Sequence, residues 1–402
     1  MGRIACGTIV AKSHLALARV LASSFHRWHP SIPFYVLLTD EVDGRFDPRD
    51  EPFELLALDD VAVPAGMRFW YRQQELTYAM APNLIAHLLD QGFDQVGYLK
   101  QESLVVGSLE ATLASLASAP ITLTPHLLTP LQGALRIDRE LNVLQSGVYN
   151  AGFVGVAESV VARRFLGWWQ DRVHRHCRHD VAGGIHYEQR WLDLVPLYFP
   201  STQLRRDPGC NVGHWNMAER HVLVDGDDVT VDGAPCSLVR FSGYDPDRPD
   251  EMTRHRRATV EALGPGAEIF RRYQSLLEDA GHEAVRDWPY AFSRFSNGVP
   301  IPDVARQLYG ALDDGPRRFA DPFDSTGPSS FYQWLGAAPE PSTGPGPPLT
   351  RLWAAVHQQR PDLQEAFPVP RGADGPAFAR WTVTSGHREH DIADVFALPG
   401  VA

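Results

Sequence analysis

The stretch 98-YLKQESLVV-106 decides how the chain is read. Gln95 to Leu99 has the character of a buried strand. It runs out into a polar tip, Lys100-Gln101-Glu102, and the chain then re-enters an apolar run. Strands of a mostly parallel sheet are covered by helices on both faces, and their carboxyl ends open onto a crevice where ligands bind. Charges at such an end are candidate ligand contacts. If strand alternation continues past Leu99, Lys100 and Glu102 share one side and Gln101 faces the other.

The flanking sequence supports a parallel sheet. Arg3 to Val10, Phe34 to Leu38, Glu54 to Leu58, Gln95 to Leu99 and Ile121 to Leu123 read as strands. Between the first two, Ser13 to Trp28 is helical, with Leu15, Leu17, Val20, Leu21 and Phe25 at near-helical spacing. Glu75 to Leu89 is helical with a break at Pro82. Such alternation implies helices on both faces of one sheet. Further on come a strand at Tyr149 to Val156, a helix from Val160 to about His176 and another around Gln189 to Val195. Val222 to Val239 reads as short strands with Asp-Gly turns. Beyond Asp245, MTRHRRATVEALG, AEIFRRYQSLLEDAG and IPDVARQLYGALDDG all look helical. Gly336 to Pro348 reads as a Pro/Gly-rich linker, followed by a helix at Leu349 to Gln359. The implied division is an α/β domain over residues 1–243, a helical extension packed on it over 244–335, and a linker with a helical tail over 336–402.

The chain of 402 residues carries a net charge of −12, which argues against a general nucleic-acid surface. Any phosphate contact must be local. Of the 37 basic residues, 35 are arginines and two are lysines, Lys12 and Lys100. Both lysines follow strands, where an α/β sheet binds ligands. Cys6, Cys177, Cys210 and Cys236 show neither zinc-site spacing nor a disulfide framework. The amino terminus reads as a strand and no apolar run approaches ~18 residues, so no signal peptide or membrane span is expected and a cytoplasmic location is.

Several local patterns invite more than one reading. His174 and His176 in HRHCRH are two apart at a helix end, on different faces, where cations suit the macrodipole. A solvated helix end accounts for them better than a metal. Glu188 opens a helix after Gly183-Gly184, where a carboxylate is stabilised in any case. Asn150-Ala151-Gly152 suits close backbone approach by a ligand or an ordinary turn. The mix of small, polar and aromatic residues in 206-RDPGCNVGHWN-216 suits a sugar-binding loop.

Taken in order, the chain resembles a bacterial family of GT-A-fold glycosyltransferases, distantly related to the retaining family 8 enzymes that include glycogenin. The matching stretches are ACGTIVAKSHLALARVLASSF, FYVLLTDE, YLKQESLVVGSLE, TPHLLTP, YNAGFVGV, EQRWLDLVPLYF, PGCNVGHWNM, FSGYDPDRP, WPYAFSRFSNGVPI and RPDLQEAFP. They span nearly the whole sequence. The resemblance implies a Rossmann-like mixed sheet flanked by helices over residues 1–243 and a nucleotide-diphosphate sugar as donor. Thr8, Val10 and Lys12 would meet the nucleoside, as would Thr39 and Asp40. Asn150 and Gly152 would lie beside the sugar, Glu188 and Gln189 near the anomeric carbon, and Asn211 and His214 in a loop over the diphosphate.

The family's Asp-x-Asp metal motif is here Lys100-Gln101-Glu102, and the family's Asp before Gln189 is Glu188. A departing diphosphate gains negative charge, and something cationic must wait for it. A metal does this by bridging two phosphates. An ammonium, a compact point charge with three donors, is the alternative. Lys100 is therefore expected to replace the metal, with Glu102 orienting it or bonding the ribose and Lys12 as a second cation. Lys100, Glu188 and Gln189 are the expected catalytic set. The expected reaction moves a hexose-like sugar, with retention and without a metal cofactor, to a small-molecule (natural product) or glycan acceptor. A Mn/Mg site rebuilt on Glu102 and His214 is the less favoured arrangement. A non-catalytic relative that binds nucleotide-sugars or serves as a scaffold is the competing function.

Overall fold

Ile4–Val10, buried over almost its whole length, forms strand β1 of a seven-stranded sheet. Residues 2–217, 219–339 and 347–398 are described by the structure, a computed structural model. Most of the expected Pro/Gly-rich linker, residues 340–346, lies outside them. Along the chain the strands are β1, β2 (Phe34–Leu38), β3 (Glu54–Ala57), β4 (Gln95–Leu99), β5 (Ser103–Val105), β6 (Ile121–Pro125) and β7 (Tyr149–Ala157). They continue with β8 (His179–Asp180), β9 (Ile185–His186), β10 (Thr202–Leu204), β11 (Val222–Asp225), β12 (Asp228–Val231), β13 (Ala234–Pro235) and β14 (Leu238–Arg240).

The large sheet runs β10-β6-β7-β4-β1-β2-β3 and is parallel except for β7, which is antiparallel to both neighbours. This is the helix-flanked mixed α/β sheet expected from sequence. The chain moves outward from β1 to β2 and β3, then returns to place β4 on β1's other side. The carboxyl ends of β1 and β4 therefore flank a topological switch point, the usual place for a ligand crevice.

Two local features aim side chains into that crevice. Between Leu123 and Thr124 the pairing of β6 with β7 jumps, from Leu123 opposite Val154 to Thr124 opposite Asn150. The jump makes Asn150-Ala151-Gly152 part of a bulge, and bulges re-aim side chains. The amide of Lys100 donates to the Gly152 carbonyl at 3.0 Å, tying the tip of β4 to this bulge. The second feature is the short antiparallel pair of β5 and β14, which sets Arg240 opposite Ser103. Phe241 N donates to Glu102 O at 2.8 Å, so β14 lies along the polar tip.

By compactness the chain forms two units. One is Met1–Val63 with Gln73–Tyr290, and the other is Pro64–Arg72 with Ala291–Ala402. The division thus falls at Tyr290 and not at residue 243. The reason is the helix Glu268–Asp279, which buries Ile269, Phe270, Tyr273 and Leu277 in the first unit's core. Its Tyr273 ring stacks on Phe241 at 3.8 Å and 5°. In the second unit, Phe69 is ringed by Tyr309, Phe323 and Phe331, and Arg306 donates to the carbonyls of Phe69, Tyr71 and Phe292.

Two expectations fail locally. MTRHRRATVEALG is not an α-helix: residues 252–260 are irregular, and only from Glu261 does the chain enter a short 3₁₀ helix, Glu261–Ala267. Glu251 and Thr259 form a bridge, Met252 N donates to Ala258 O, and Arg254 N donates to Gly243 O at 2.8 Å. Only Met252, Thr253 and Val260 are buried there, too little for an apolar helical stripe, and Thr253 Oγ1 donates to the Ser242 carbonyl. Conversely, Arg136–Ser146 is a helix the sequence did not announce, because none of its residues is buried. The helix expected around Gln189 to Val195 is a 3₁₀ stretch, Arg190–Leu194, running into a single turn, Val195–Tyr198.

Phe241→Ala should lower stability by about 3–5 kcal/mol, since it removes a buried ring and leaves a void against Tyr273. Val160→Ala, at a position 79% exposed, should stay within ~0.5 kcal/mol. Urea denaturation midpoints of the two variants check the contrast, and equal midpoints would contradict it.

Candidate active site

The polar tip of β4 carries two buried ion pairs. Lys100 Nζ donates to Glu188 Oε1 at 2.5 Å, with the lysine side chain 6% exposed and the glutamate 0%. The same ammonium lies 3.5 Å from the centre of the Tyr78 ring, on the favourable face for a cation. Arg240 Nη2 donates to Glu102 Oε1, also at 2.5 Å. The other end of that guanidinium, Nη1, donates to Asn150 Oδ1 at 2.8 Å. Arg240 also sits 5.5 Å over the Trp215 ring.

Asn150 is the hub of the polar network. Its Oδ1 accepts from Gly152 N at 2.7 Å, Asn211 Nδ2 at 3.1 Å and Arg240. The amide orientation follows, and Nδ2 donates to His126 Nε2 at 2.8 Å. That ring nitrogen must therefore be unprotonated. Gly152 admits no side chain. A Cβ there would lie 2.4 Å from Arg240 Cδ and from Asn211 Oδ1. Asn211 holds a left-handed backbone, φ 59°, and also donates to Thr124 Oγ1 at 2.8 Å. Asn216 closes the loop by accepting from Gly213 N and donating to the carbonyls of His126 and Asn211.

Charge and burial set the protonation of the site. Burial would raise the Glu102 carboxyl, but Arg240 and Lys100 outweigh it and hold it below its ordinary value. Burial, with Lys100 nearby, lowers His186 to about 4. Burial likewise takes His126 to about 3, with Arg240 adding to the effect. His214 falls well below its ordinary value through burial and then through His255 and Arg256. These imidazoles are neutral at pH 7.

Two cavities meet here. The smaller, about 310 Å³, is lined by Lys100, Glu188, Gln189, Asn150, His214, Arg240 and their neighbours. The larger, about 640 Å³, is lined by Val10, Ala11, Gln101, Glu102, Phe241, Tyr244 and Tyr273 among others. Gln74, Tyr78, Ser242, Arg254 and His255 line both. Several buried polar atoms on these walls have no partner among the described residues: Glu188 Oε2, Glu102 Oε2, Arg240 Nε, His186 Nδ1 and Trp215 Nε1. Buried polar atoms normally find partners, so unpaired ones converging on a cavity mark a place for a polar ligand.

The structure gathers most of the sequence-selected residues but changes some roles. Lys100 and Glu188 meet, as do Glu102, Asn150, Gly152 and Asn211. Glu102 does not orient Lys100; Glu188 does. Gln189 lines the smaller cavity, yet both ends of its amide are engaged, accepting from Ala151 N and donating to Ser146 O. It positions the bulge. Gln101 does not turn away. The strand stops at Leu99, the next residues bend, and Gln101 lines the larger cavity beside Glu102. Lys12 is no second cation for a ligand. It is fully buried, paired with Asp40 and Asp43, and among the described residues it lines neither cavity. Thr8, Thr39 and Asp40 stand behind Val10 as buried support, with Thr39 Oγ1 bonded to Val10 O and to Thr77. No group of three His, Cys, Asp or Glu among the described residues is arranged to hold a metal, His174 and His176 included.

Sequence reading assigned no role to Arg240, Tyr78, His126 or His186, and Trp215 entered only as part of the 206–216 loop. Arg240 had a signal, standing immediately before the FSGYDPDRP stretch. Tyr78 had none, since an aromatic in a helix reads as core.

The chain matches no protein-family model. It is 24% identical over 246 residues, 59% of its length, to the uncharacterized protein YfnF of Bacillus subtilis (strain 168), covering 80% of that protein. Among solved structures it is similar to the galactosyltransferase LgtC in complex with donor and acceptor sugar analogues. The identity is 16% over 68% of this chain and 95% of that one, with a TM-score of 0.41. It is also similar to the glycosyltransferase GlyE of Streptococcus pneumoniae TIGR4, at 12% identity over 73% and 67% of the two chains, TM-score 0.40. The bifunctional glycosyltransferase WbbM gives 10%, 68% and 52%, and 0.38. The roles of individual residues rest on the geometry above.

A histidine held neutral by the fold is protonated more readily when unfolded. The unfolded chain then binds more protons, so stability is full above the ordinary histidine value near 6.5 and falls as pH drops towards 4. The slope is at most about 1.4 kcal/mol per pH unit for each histidine. Denaturation midpoints at pH 7, 5.5 and 4.5 should fall steadily in the wild type and less steeply in His186→Gln. Identical slopes would mean that His186 is not held neutral.

Proposed function

We propose that the protein is a glycosyltransferase that moves a hexose-like sugar from a nucleotide-diphosphate donor to a small-molecule or glycan acceptor. The observation that carries this is the pair of buried cations, Lys100 and Arg240, on the wall of the smaller cavity next to the residues that line both cavities. The nucleoside lies in the larger cavity, between the end of β1 and the rings of Phe241, Tyr244 and Tyr273. The sugar lies in the smaller one, against Asn150, Glu188 and Gln189. The diphosphate crosses between them, past Lys100, Arg240 and Arg254.

In the reaction, the bond between the anomeric carbon and the diphosphate oxygen breaks and its electron pair leaves with the nucleotide. An acceptor hydroxyl oxygen forms the new bond, and its proton passes to the departing diphosphate. Lys100 and Arg240 stabilise the charge that builds on the leaving oxygen, as preorganised donors do. Each keeps a donor for it. Arg240 Nε is unpartnered, and Lys100, which has three N–H groups, makes one hydrogen bond. Glu188, with Oε2 unpartnered, is available to stabilise the positive charge that develops on the sugar, and the reading keeps retention, by front-face attack within that ion pair.

The donor set does not suit a divalent cation. An ammonium holds one carboxylate and a guanidinium the other, and an ion placed between them would meet two like charges. On this reading transfer proceeds without metal. A nucleotide-sugar-binding scaffold is the competing reading, and one feature favours it: Glu188 already neutralises Lys100.

Nucleotide release from a matched donor and acceptor in metal-free buffer separates the readings. Lys100→Ala should lower the rate by ~10²–10³, the usual effect of losing one such donor. Lys100→Arg should recover only part of it, because a planar fork does not reproduce a point charge. Equal rates in wild type and Lys100→Ala would remove Lys100 from the mechanism, and no release from any donor would leave the scaffold.

Stabilisation by the nucleotide-sugar should also survive chelation. Melting temperatures with donor should match with and without EDTA. A shift abolished by EDTA and restored by Mn²⁺ would overturn metal independence.

A further inference from the structure

The cations around the smaller cavity outnumber what the donor requires. Lys100, Arg139, Arg240, Arg254 and Arg256 line it, and Glu188 is the one carboxylate among its described lining residues. Lys100 is matched by Glu188 and Arg240 by Glu102. Arg139, Arg254 and Arg256 have no carboxylate partner among the described residues. Arg254 lines both cavities, where a diphosphate crosses. Arg139 and Arg256 line only the smaller one. They approach from different segments, the helix Arg136–Ser146 and the loop after Gly243, and converge on one atom. Arg139 Nη2 reaches the His214 carbonyl at 3.4 Å and Arg256 Nη2 reaches it at 2.7 Å.

We infer that Arg139 and Arg256 form a subsite for an acidic group, a carboxylate or phosphate, on the sugar or on the acceptor. This rests on the glycosyl-transfer reading for its place in the reaction. Two guanidinium groups sharing one carbonyl repel each other, and a forked donor pair suits a planar or tetrahedral anion. Burial, and for Arg256 the nearness of Arg139, also push both groups below their ordinary values, as expected of unneutralised like charges. No internal anion relieves them, since Glu188, the one carboxylate among the described lining residues, is bound to Lys100. A neutral sugar or acceptor would leave the pair uncompensated. An acidic one completes it.

Calorimetry tests this with paired probes. The nucleotide is whichever of UDP, GDP, TDP, CDP and ADP raises the melting temperature most. Its glucose conjugate is compared with its glucuronate conjugate, and free glucose with free glucuronate and glucose 6-phosphate in the presence of that nucleotide. The acidic member of at least one comparison should bind roughly ten-fold or more tightly, the range of a charge-assisted contact of ~1.5–3 kcal/mol. Arg139→Gln and Arg256→Gln should each remove most of that preference without weakening the neutral partner. Arg256→Lys should retain part of it. A preference in the conjugates puts the acid on the donor sugar, and one in the free sugars puts it on the acceptor. The melting temperature without ligand should hold or rise in both Gln variants, because a repulsion is relieved, whereas a structural role predicts a fall. The inference is overturned if neutral and acidic probes bind alike, if none binds, or if the preference persists in both variants. The transfer reading is judged separately, by nucleotide release, so either can fail alone.

Discussion

Burying a cation beside a carboxylate costs desolvation on both groups, and the attraction between them does not reliably repay it. The tip of β4 does this twice within three residues, at Lys100 and Glu102. Stability alone would be served as well by apolar side chains of similar volume. What the charges bring is a fixed geometry. Around them the fold is unusually constrained: the β6–β7 bulge, Asn150 with three donors on one oxygen, a glycine at 152 that admits no Cβ, and Asn211 in a left-handed conformation. Each departs from local preference, and departures of this kind cluster where a structure is held ready for a ligand. The pieces are interdependent. Without the bulge, Asn150 would not reach Arg240, and without β14 on β5, Arg240 would not reach Glu102.

The sheet was legible because its signal is cumulative. Ile4–Val10, Phe34–Leu38 and Gln95–Leu99 are short apolar runs separated by helical periodicity, and only one layered arrangement satisfies all of them. Lys100 stood out because it interrupts a pattern, a rare lysine at a strand end, whereas Glu188 at a helix start suits capping alone and entered through the family resemblance. What sequence could not give was the partner of each. Lys100 and Glu188 are 88 positions apart and Glu102 and Arg240 are 138. A carboxylate two residues from a lysine looks like its natural partner, and the bend after Leu99 separates them. Lys12 misled for the opposite reason. A rare lysine after a strand looks functional, but Asp40 and Asp43 enclose it. The 251–259 loop misled because arginines and alanines have helical propensity and tertiary contacts decide otherwise.

Within the proposed reaction the charges of the site can be counted. Lys100 and Arg240 against Glu188 and Glu102 sum to zero. A divalent cation held by two aspartates also sums to zero, and an aspartate exchanged for Lys100 makes up the loss of such an ion by itself, so Arg240 and Glu188 add one further positive and one further negative charge in balance. The distribution differs even though the total does not. A metal concentrates two charges at one point and can bridge both phosphates. Two side chains spread them, each with directional donors, so the leaving group must present separate oxygens to an ammonium and a guanidinium. A site of that kind gains its selectivity from where the oxygens lie more than from total charge. The adjoining arginines, Arg139, Arg254 and Arg256, extend the same logic from the diphosphate into the cavity where the sugar is received.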